Sequence, residues 1–385
     1  MPKREPAPSS ASRGPPRKLP RLDYVLIPLV VLATTLAMIT TAELSSRAFW
    51  PEHHDPTCTV HDQFITRSVP NCSVKDKIPE GPWLTYDYNA CGYRTPDPCG
   101  QKPAGTLRVV FLGSSITKGY HVPLEQTFAS LTSKAIAATT GLPVQDENLG
   151  QEGYPPLQVY RQISEALALN PDLVVYSVSP FDLEEKTDPA QLAARNDPTA
   201  KFDRPAVSIN ISLLKRISNA LQVSRTSIVA QHLLYSNTEA YLRLSLSRGD
   251  KTDYLRSPLP PPWKDRFADF QVILTDLADR LRRAGVPLVI VALPSHQIGA
   301  LLSSNTRPPH TDPFEFGRDV RLSAERVGAQ FLDAAQAMSR VPHADRLFYL
   351  SESHLNGDGH AVVAQALIAK LQDGTIPALA ARRGD

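Results

Sequence analysis

The hydrophobic pattern of the chain changes character twice. Residues 24–42 form one continuous, uncharged and mostly apolar run, close to the roughly 20 residues that a helix needs to cross a bilayer. Residues 43–105 are rich in turn-forming residues and contain no comparable run. From Leu107 onward, short apolar runs alternate with segments whose apolar residues recur at helical spacing. The pattern predicts a membrane-spanning helix followed by a folded domain.

The short apolar runs of that domain are typical of buried parallel strands. Between them, the helical spacing predicts helices near 124–139, 156–169, 267–284, 316–327 and 360–372. Strands that alternate with helices form a three-layer α/β/α sandwich around a parallel sheet. Right-handed crossovers place the carboxyl ends of all these strands on one face. The predicted strands are Leu107–Leu112, Val144–Leu149, Leu173–Val178 and Val286–Leu293, with Gln330–Leu332 as an edge strand.

The alternation of strands and helices stops at an insertion, residues 183–260. Helical spacing predicts helices at about 208–222 and 226–247, and a proline-rich linker follows at 258–262. Such an insertion either forms a lid over a site or only pads the structure, and the sequence leaves both interpretations open. We expect the α/β domain to cover residues 106–373 and a short tail to cover 374–385.

The first 23 residues carry six Lys and Arg side chains among many Pro and Ser residues, a composition typical of a disordered tail. Positive charge beside a membrane helix stays in the cytoplasm. The expected topology is therefore a single-pass inner-membrane protein with a cytoplasmic N-terminus and an extracytoplasmic domain. A cleaved signal peptide is the alternative, but its apolar region would be only about 7–15 residues long.

All four cysteines lie between the membrane span and the first strand of the domain. An even number of cysteines confined to one extracytoplasmic segment predicts two disulfides, and three pairings are possible. A zinc site is the weaker alternative, because no Cys-x-x-Cys pair is present. We expect the segment 43–105 to form a cysteine-containing cap region, with Cys58, Cys72, Cys91 and Cys99 as its thiols.

Charge and sequence motifs exclude several classes of function. A net charge of +2 over 385 residues gives no reason to expect nucleic-acid binding. No Gly-x-Gly-x-x-Gly follows a strand, which disfavours a dinucleotide site, and Lys118-Gly119 reverses the order that a P-loop requires. No feature of the sequence sets an oligomeric state.

The turn after the first strand of the domain carries a candidate nucleophile. Gly113-Ser114-Ser115 stands where that strand passes into a helix, at the edge where open α/β sheets bind ligands. Unpaired backbone N–H groups at such a turn can hold an anion. The turn is not a nucleophile elbow, because Thr117 replaces its second glycine. An ordinary strand exit would have the same composition.

A serine nucleophile needs a base, and one late histidine fits that need. His354 lies in the polar, glycine-rich loop 351–360, just before the last predicted helix. His121 follows Ser115 too closely to be an obvious base and is interpreted as structural. On composition alone, the 351–360 loop could equally be a helix-capping loop without a chemical role.

These motifs together resemble the SGNH hydrolases, the GDSL-type esterases. The resemblance rests on Gly113-Ser114-Ser115-Ile116-Thr117, on Glu352-x-His354-Leu-Asn-x-x-Gly-His360, and on the loops between them. It covers about 107–182 and 286–372, and leaves the insertion unmatched. Gly92-Tyr93-Arg94 and residues 119–128 are similar to membrane-anchored bacterial members. The resemblance implies a flavodoxin-like sandwich that hydrolyses or transfers acyl esters.

The resemblance also implies the roles of single residues. Ser115 would be the nucleophile, His354 the general base, and Glu352 the acid that orients the imidazole. The N–H groups of Ser115 and Gly153 would stabilise the oxyanion. Asn148 and Asp182 belong to the second and third loops of the family pattern, where oxyanion and substrate contacts are made. Serine chemistry of this kind needs no metal and no cofactor.

Three departures from the family pattern affect the site. Ser179-Pro180-Phe181-Asp182 stands where the family has Gly-x-Asn-Asp, so Phe181 replaces an amide that donates to the oxyanion. Glu352 replaces the usual Asp, and Ser114 replaces the Asp that normally precedes the nucleophile.

Three functional hypotheses follow from the sequence. The preferred one is an anchored extracytoplasmic esterase or acyltransferase, with O-acetyl groups on surface carbohydrate as the candidate substrate. The second is a degenerate hydrolase domain that binds polysaccharide during export without catalysis. The third is an unrelated α/β enzyme that uses the same face of the sheet.

Overall fold

The computed structural model describes residues 20–55, 58–61, 66–197, 199, 224–376 and 379. The chain divides into two compact units, Met1–Phe49 and Trp50–Asp385.

The first unit contains one long helix, α1 (Asp23–Phe49). It exceeds the predicted span 24–42 at its C-terminal end. Its most apolar stretch has a mean hydropathy of 2.2 and no buried residue. The hydroxyls of Thr34 and Thr35 donate to carbonyls one turn earlier, at 2.8 and 2.7 Å, so these polar groups are satisfied within the helix. By length and composition α1 is a candidate membrane span, as the sequence predicts.

The second unit begins with two small antiparallel sheets, whose strands the sequence analysis did not predict. The cysteines pair as Cys58–Cys72 and Cys91–Cys99, one of the three pairings that the sequence left open. Tyr86 and Tyr88 pack around Cys58 in a small apolar cluster. The strands are β1 (His53–His54), β2 (Thr59–His61), β3 (Thr66–Ser68), β4 (Ser73–Lys77) and β5 (Leu84–Asp87), paired as β1-β4-β5 and β2-β3.

A five-stranded parallel sheet forms the centre of the second unit. Its order is β10-β9-β8-β6-β7, and every neighbouring pair is parallel. The edge position predicted for the strand near residue 330 is confirmed. The strands are β6 (Leu107–Leu112), β7 (Val144–Asn148), β8 (Leu173–Val178), β9 (Leu288–Ala292) and β10 (Gln330–Asp333).

Successive residues of the central strands face two separate hydrophobic clusters. In β6, Val109 and Phe111 join one cluster, whereas Val110 and Leu112 join the other. Helices cover both faces, which confirms the predicted three-layer α/β/α sandwich. The helices are α2 (Ser115–Lys118), α3 (Phe128–Thr140), α4 (Pro156–Arg161), α5 (Ile163–Ala168), α6 (Pro189–Ala193), α7 (Arg225–Tyr235), α8 (Thr238–Leu246), α9 (Pro261–Arg283), α10 (His296–Ser303), α11 (Glu315–Arg326), α12 (Ala334–Met338) and α13 (Gly357–Leu371).

The insertion differs from its prediction in detail. The helix predicted at 208–222 lies outside the described residues. The helix predicted at 226–247 is two helices, α7 and α8, because the Asn237 side chain accepts from the Ala240 N–H and caps a new helix there. Tyr241 and Leu242 of α8 are buried in the main core, so this part of the insertion contributes to the domain's packing.

Candidate active site

The turn that carries Ser115 depends on a glycine. Gly113 ends β6 with φ +152°, and a Cβ there would lie 2.1 Å from Oγ1 of Thr117 and 2.8 Å from the carbonyl oxygen of Ser177. Only glycine fits so close to its neighbours. The chain can therefore bend sharply out of the sheet, and Ser115 begins α2 at the carboxyl edge.

The structure brings Ser115 and His354 together across 239 residues of sequence. Oγ of Ser115 lies 2.9 Å from Nε2 of His354. Nδ1 of His354 lies 3.1 Å from the main-chain carbonyl oxygen of Glu352. Because a carbonyl oxygen only accepts, Nδ1 carries the proton and Nε2 is left free to accept from the serine hydroxyl. Burial, with a smaller contribution from nearby His121, lowers the pKa of His354 to about 4.

The carboxylate of Glu352 does not occupy the orienting position implied by the family resemblance. Its Oε2 lies 3.8 Å from Nε2 of His121, and it makes no hydrogen bond to His354. The reason is local: Ser353 adopts φ +61°, and the main-chain carbonyl of Glu352 already occupies Nδ1 of His354. Burial raises the pKa of Glu352.

The second loop contributes a bracing side chain, that of Asn148, and a glycine at the cleft beside Ser115. Nδ2 of Asn148 donates to the carbonyl of Thr117 at 2.7 Å, and Oδ1 accepts from the N–H of Gly150 at 3.0 Å. Asn148 thus braces α2, the helix that begins with Ser115, and does not line the cleft beside Ser115. Gly153, with φ +68°, does line it. Neither the N–H of Gly153 nor that of Ser115 has an acceptor within the described residues.

The third loop places Asp182 behind the nucleophile. Its Oδ2 accepts from the N–H and Oγ of Ser179, at 2.7 and 3.1 Å, and the carboxylate also hydrogen-bonds to Ser114. Burial raises the pKa of Asp182 to about 6. This contact links the third loop to the Ser114 position, where the family pattern normally has its own Asp. Phe181 is 43% exposed beside the same loop.

A cleft of about 250 Å³ opens beside Ser115. The loops after β6, β7 and β8 meet there, as the topology predicts. The fourth loop, 294–297, is not among the described segments that line it, because the Ser295 hydroxyl bonds to Tyr254 and His296 is buried. The cleft is lined by Ser114, Ser115, Gly153, Tyr154, Pro155, Phe181, Asp182, Glu184 and Glu185.

Arg94 supports the nucleophile turn from the cap region, a role that the sequence did not reveal. Its buried guanidinium donates to the carbonyls of Lys118, Gly119 and Val122 at 2.9, 2.5 and 2.7 Å. It also lies 4.3 Å from the ring centre of Tyr86. The only local signal was the Gly92-Tyr93-Arg94 motif, which does not say what the arginine binds.

His121, which the sequence analysis interprets as structural, lies close to His354. It is 1% exposed, and its Nδ1 lies 3.2 Å from Oδ2 of Asp76. The ring centres of His121 and His354 are 5.7 Å apart, and the rings are nearly perpendicular. No local sequence pattern indicates the contact between His121 and Asp76, because Asp76 lies 45 residues earlier on β4.

Comparison with known families identifies the domain. The GDSL-like lipase/acylhydrolase family matches residues 111–362, about two thirds of the chain. The chain belongs to this family. The resemblance stated from the sequence motifs is thereby confirmed, and family membership supports an ester-hydrolysing enzyme. No curated protein sequence matches the chain significantly.

The chain also matches solved structures over about two thirds of its length. A lipase/acylhydrolase from Enterococcus faecalis is 14% identical, with 69% of this chain and 95% of that one covered and a TM-score of 0.40. Axe2, an acetylxylan esterase from Geobacillus stearothermophilus, is 13% identical, with coverages of 69% and 93% and a TM-score of 0.40. TesA is 14% identical, with coverages of 69% and 97% and a TM-score of 0.39.

Proposed function

We propose that the protein is a membrane-anchored, extracytoplasmic serine esterase that works through an acyl-Ser115 intermediate. The observation that carries the proposal is the 2.9 Å contact between Oγ of Ser115 and Nε2 of His354. A nucleophile within hydrogen-bond reach of a base, with that base held by a third group, is the arrangement that covalent catalysis requires.

Each proton in the proposed reaction has a place to go. His354 Nε2 takes the proton of Ser115 as Oγ attacks the ester carbonyl. The resulting imidazolium then gives this proton to the leaving alkoxide, which departs as an alcohol and leaves acyl-Ser115. A water molecule, or a sugar hydroxyl in a transfer reaction, attacks the acyl group while His354 again accepts the proton. Ser115 finally regains its proton from His354.

The N–H groups of Ser115 and Gly153 are the proposed oxyanion donors. Both lie at the cleft and lack acceptors in the described chain, so they are available to a developing negative charge. The side-chain amide found in the family's third loop is replaced by Phe181. Asp182 holds the third loop against Ser114 and acts as a positioning residue.

The volume and lining of the cleft favour a substrate with a short acyl group on a bulky, hydroxyl-rich alcohol. Its volume of about 250 Å³ lies below the range of about 300–1,000 Å³ that is usual for drug-sized ligands. Phe181 offers an exposed ring, and Glu184 and Glu185 offer carboxylate oxygens that accept from hydroxyl groups. An O-acetyl group on surface carbohydrate has these properties.

The proposed location follows from the helix that precedes the cap region and from the disulfides within that region. The apolar helix α1 precedes it, and the basic residues before α1 favour a cytoplasmic N-terminus. The two disulfides of the cap region are typical of an oxidising compartment. We therefore place the tail 1–23 in the cytoplasm, the span 24–42 in the inner membrane, and both the cap 43–105 and the domain 106–373 outside.

The test is an assay of aryl acetate hydrolysis by the full chain in detergent. Ser115→Ala and His354→Ala should each lower kcat by at least about 10³-fold. Ser351→Ala is the matched control, because this serine lies in the same loop as His354 and its Oγ has no hydrogen-bond partner within the described residues. It should retain the parent rate. Equal rates in all four proteins would refute the assignment.

The Phe181 substitution supports a second candidate function, the binding of polysaccharide without catalysis. Losing one oxyanion donor costs about 10²–10³ in rate where it has been measured, and Phe181 cannot donate. An organophosphonate distinguishes the two candidates. Covalent labelling of Ser115 supports the esterase, whereas an unlabelled parent protein supports binding alone.

A further inference from the structure

Three side chains beside the nucleophile form a cluster that the esterase mechanism does not use in full. His121, Glu352 and His354 each present a potential ligand atom, and these atoms lie within 4.8 Å of one another. Two imidazoles and a carboxylate form one of the donor sets that bind zinc in proteins.

Hydrogen bonds hold the main chain and the Nδ1 atom of His121, and Nε2 remains available as a metal ligand. Its main-chain N–H donates to the hydroxyl of Tyr86 at 2.7 Å, and its carbonyl accepts from Tyr349 at 2.9 Å. Nδ1 is paired with Asp76, which also contacts His54. The backbone of His121 has φ +64°, a conformation that is uncommon for non-glycine residues, although histidine adopts it more often than most. Metal-binding histidines are typically oriented by a carboxylate on the other nitrogen, as Asp76 does here.

The carboxylate of Glu352 is the adjustable member of the cluster. It makes no hydrogen bond within the described chain, and its side chain is 38% exposed, so it is free to move. Ligand atoms around tetrahedral zinc lie about 3.3 Å apart, given bonds of about 2.0–2.1 Å. The observed 3.8 Å between Glu352 Oε2 and His121 Nε2 is close to that separation. The ligand atoms of all three residues, which lie within 4.8 Å of one another, would draw together around a bound metal.

We propose that His121, Glu352 and His354 form a binding site for zinc or a similar divalent transition metal, and that binding there reversibly inhibits the esterase. The inhibition rests on the proposed function, whereas the metal site itself does not. Metal on Nε2 of His354 displaces Ser115 directly. Metal on Nδ1 moves the imidazole proton to Nε2, which then cannot accept the proton of Ser115. Either mode removes the base.

The experiment uses the untagged full chain in detergent, stripped of metal by a chelator. Cobalt(II) is titrated first, because its visible absorption reports four-coordinate binding without any need for activity. Zinc binding is then measured by equilibrium dialysis, and ester hydrolysis is measured at each zinc concentration. We expect one equivalent of metal, and inhibition that is reversed by the chelator.

His121→Asn and Glu352→Gln test the ligands, and His310→Asn is the matched control. His310 is also a histidine with positive φ, at +59°, and asparagine tolerates this conformation. The two ligand variants should bind zinc at least about tenfold more weakly and resist zinc inhibition, whereas His310→Asn should behave as the parent. If His121→Asn does not fold, zinc binding by Glu352→Gln tests the site alone. This variant should fold, because the Glu352 side chain makes no hydrogen bond within the described residues.

The outcomes separate the two proposals. Absence of a cobalt spectrum, or equal zinc affinity in the parent and Glu352→Gln, overturns the site. Binding without inhibition of an active esterase overturns the regulatory role. Metal binding to a parent protein that has no esterase activity upholds the site and refutes the proposed function instead.

Discussion

The main-chain carbonyl of Glu352 accepts a hydrogen bond from Nδ1 of His354 at 3.1 Å. The side chain of Glu352 makes no such bond, so its removal should leave the imidazole in place. We expect Glu352→Gln to lower kcat/KM by less than about tenfold in metal-free buffer, whereas loss of an orienting carboxylate costs about 10⁴-fold in a serine triad. The measurement is aryl acetate hydrolysis, with His354→Ala as the inactive reference. A loss near that of His354→Ala would show that the carboxylate turns to His354 during catalysis.

Phe181 stands where an amide would complete the oxyanion site. Phe181→Asn should raise kcat, by as much as about 10²-fold, because a side-chain donor contributes that much or more in comparable sites. Phe181→Leu removes the ring without adding a donor and serves as the control. A rate that rises equally in both variants would point to relief of crowding in the cleft.

Arg94 is a buried support whose geometry lysine cannot reproduce. A single ammonium lacks the planar fork that reaches the carbonyls of Lys118, Gly119 and Val122. We expect Arg94→Lys to lower the free energy of unfolding by about 2–4 kcal/mol and to reduce kcat, because the nucleophile helix is displaced. Thermal unfolding and hydrolysis rates measure the two effects. Arg318→Lys, which alters a partly exposed ion pair, should change stability by less than about 0.5 kcal/mol.

Asp182 makes the stability of the domain depend on pH. Its pKa is raised to about 6 in the folded protein, above its value in an unfolded chain. The stability that it contributes is fully present below about pH 4 and is lost as the pH rises through about 6. The asparagine of the Asp182→Asn variant does not titrate. The free energy of unfolding of this variant, relative to that of the parent, should therefore increase from about pH 4 to pH 7, by at most about 3 kcal/mol. Unfolding temperatures at both pH values test this, and a constant difference would contradict it.

The parts of the candidate site that lie in continuous motifs can be proposed from the sequence. Ser115 follows a buried strand at the edge where parallel sheets bind ligands, and His354 lies in the loop before the last helix. The alternation of strands and helices likewise predicted the three-layer fold and the edge strand at Gln330–Asp333.

The contacts that hold these residues could not be predicted in the same way. Arg94 binds carbonyls 24 to 28 residues away, and carbonyls have no residue-specific signature in a sequence. The His354 imidazole is oriented by the main-chain carbonyl of Glu352, whereas the sequence suggests that the Glu352 carboxylate would do so. The strands of the cap region are also too short to show an alternating pattern, and cysteine spacing alone does not set the pairing.

The contacts of Arg94 show that the folded unit is larger than the part of the chain that matches the family. The family match begins at residue 111, yet the segment before it contributes Arg94, which binds the turn after Ser115, and Tyr86 and Asp76, which bind His121. A protein trimmed to the family boundary would lose the buried arginine and leave three carbonyls without their donor. We therefore expect the smallest fragment that folds and hydrolyses esters to begin at about Trp50, where the compact unit begins.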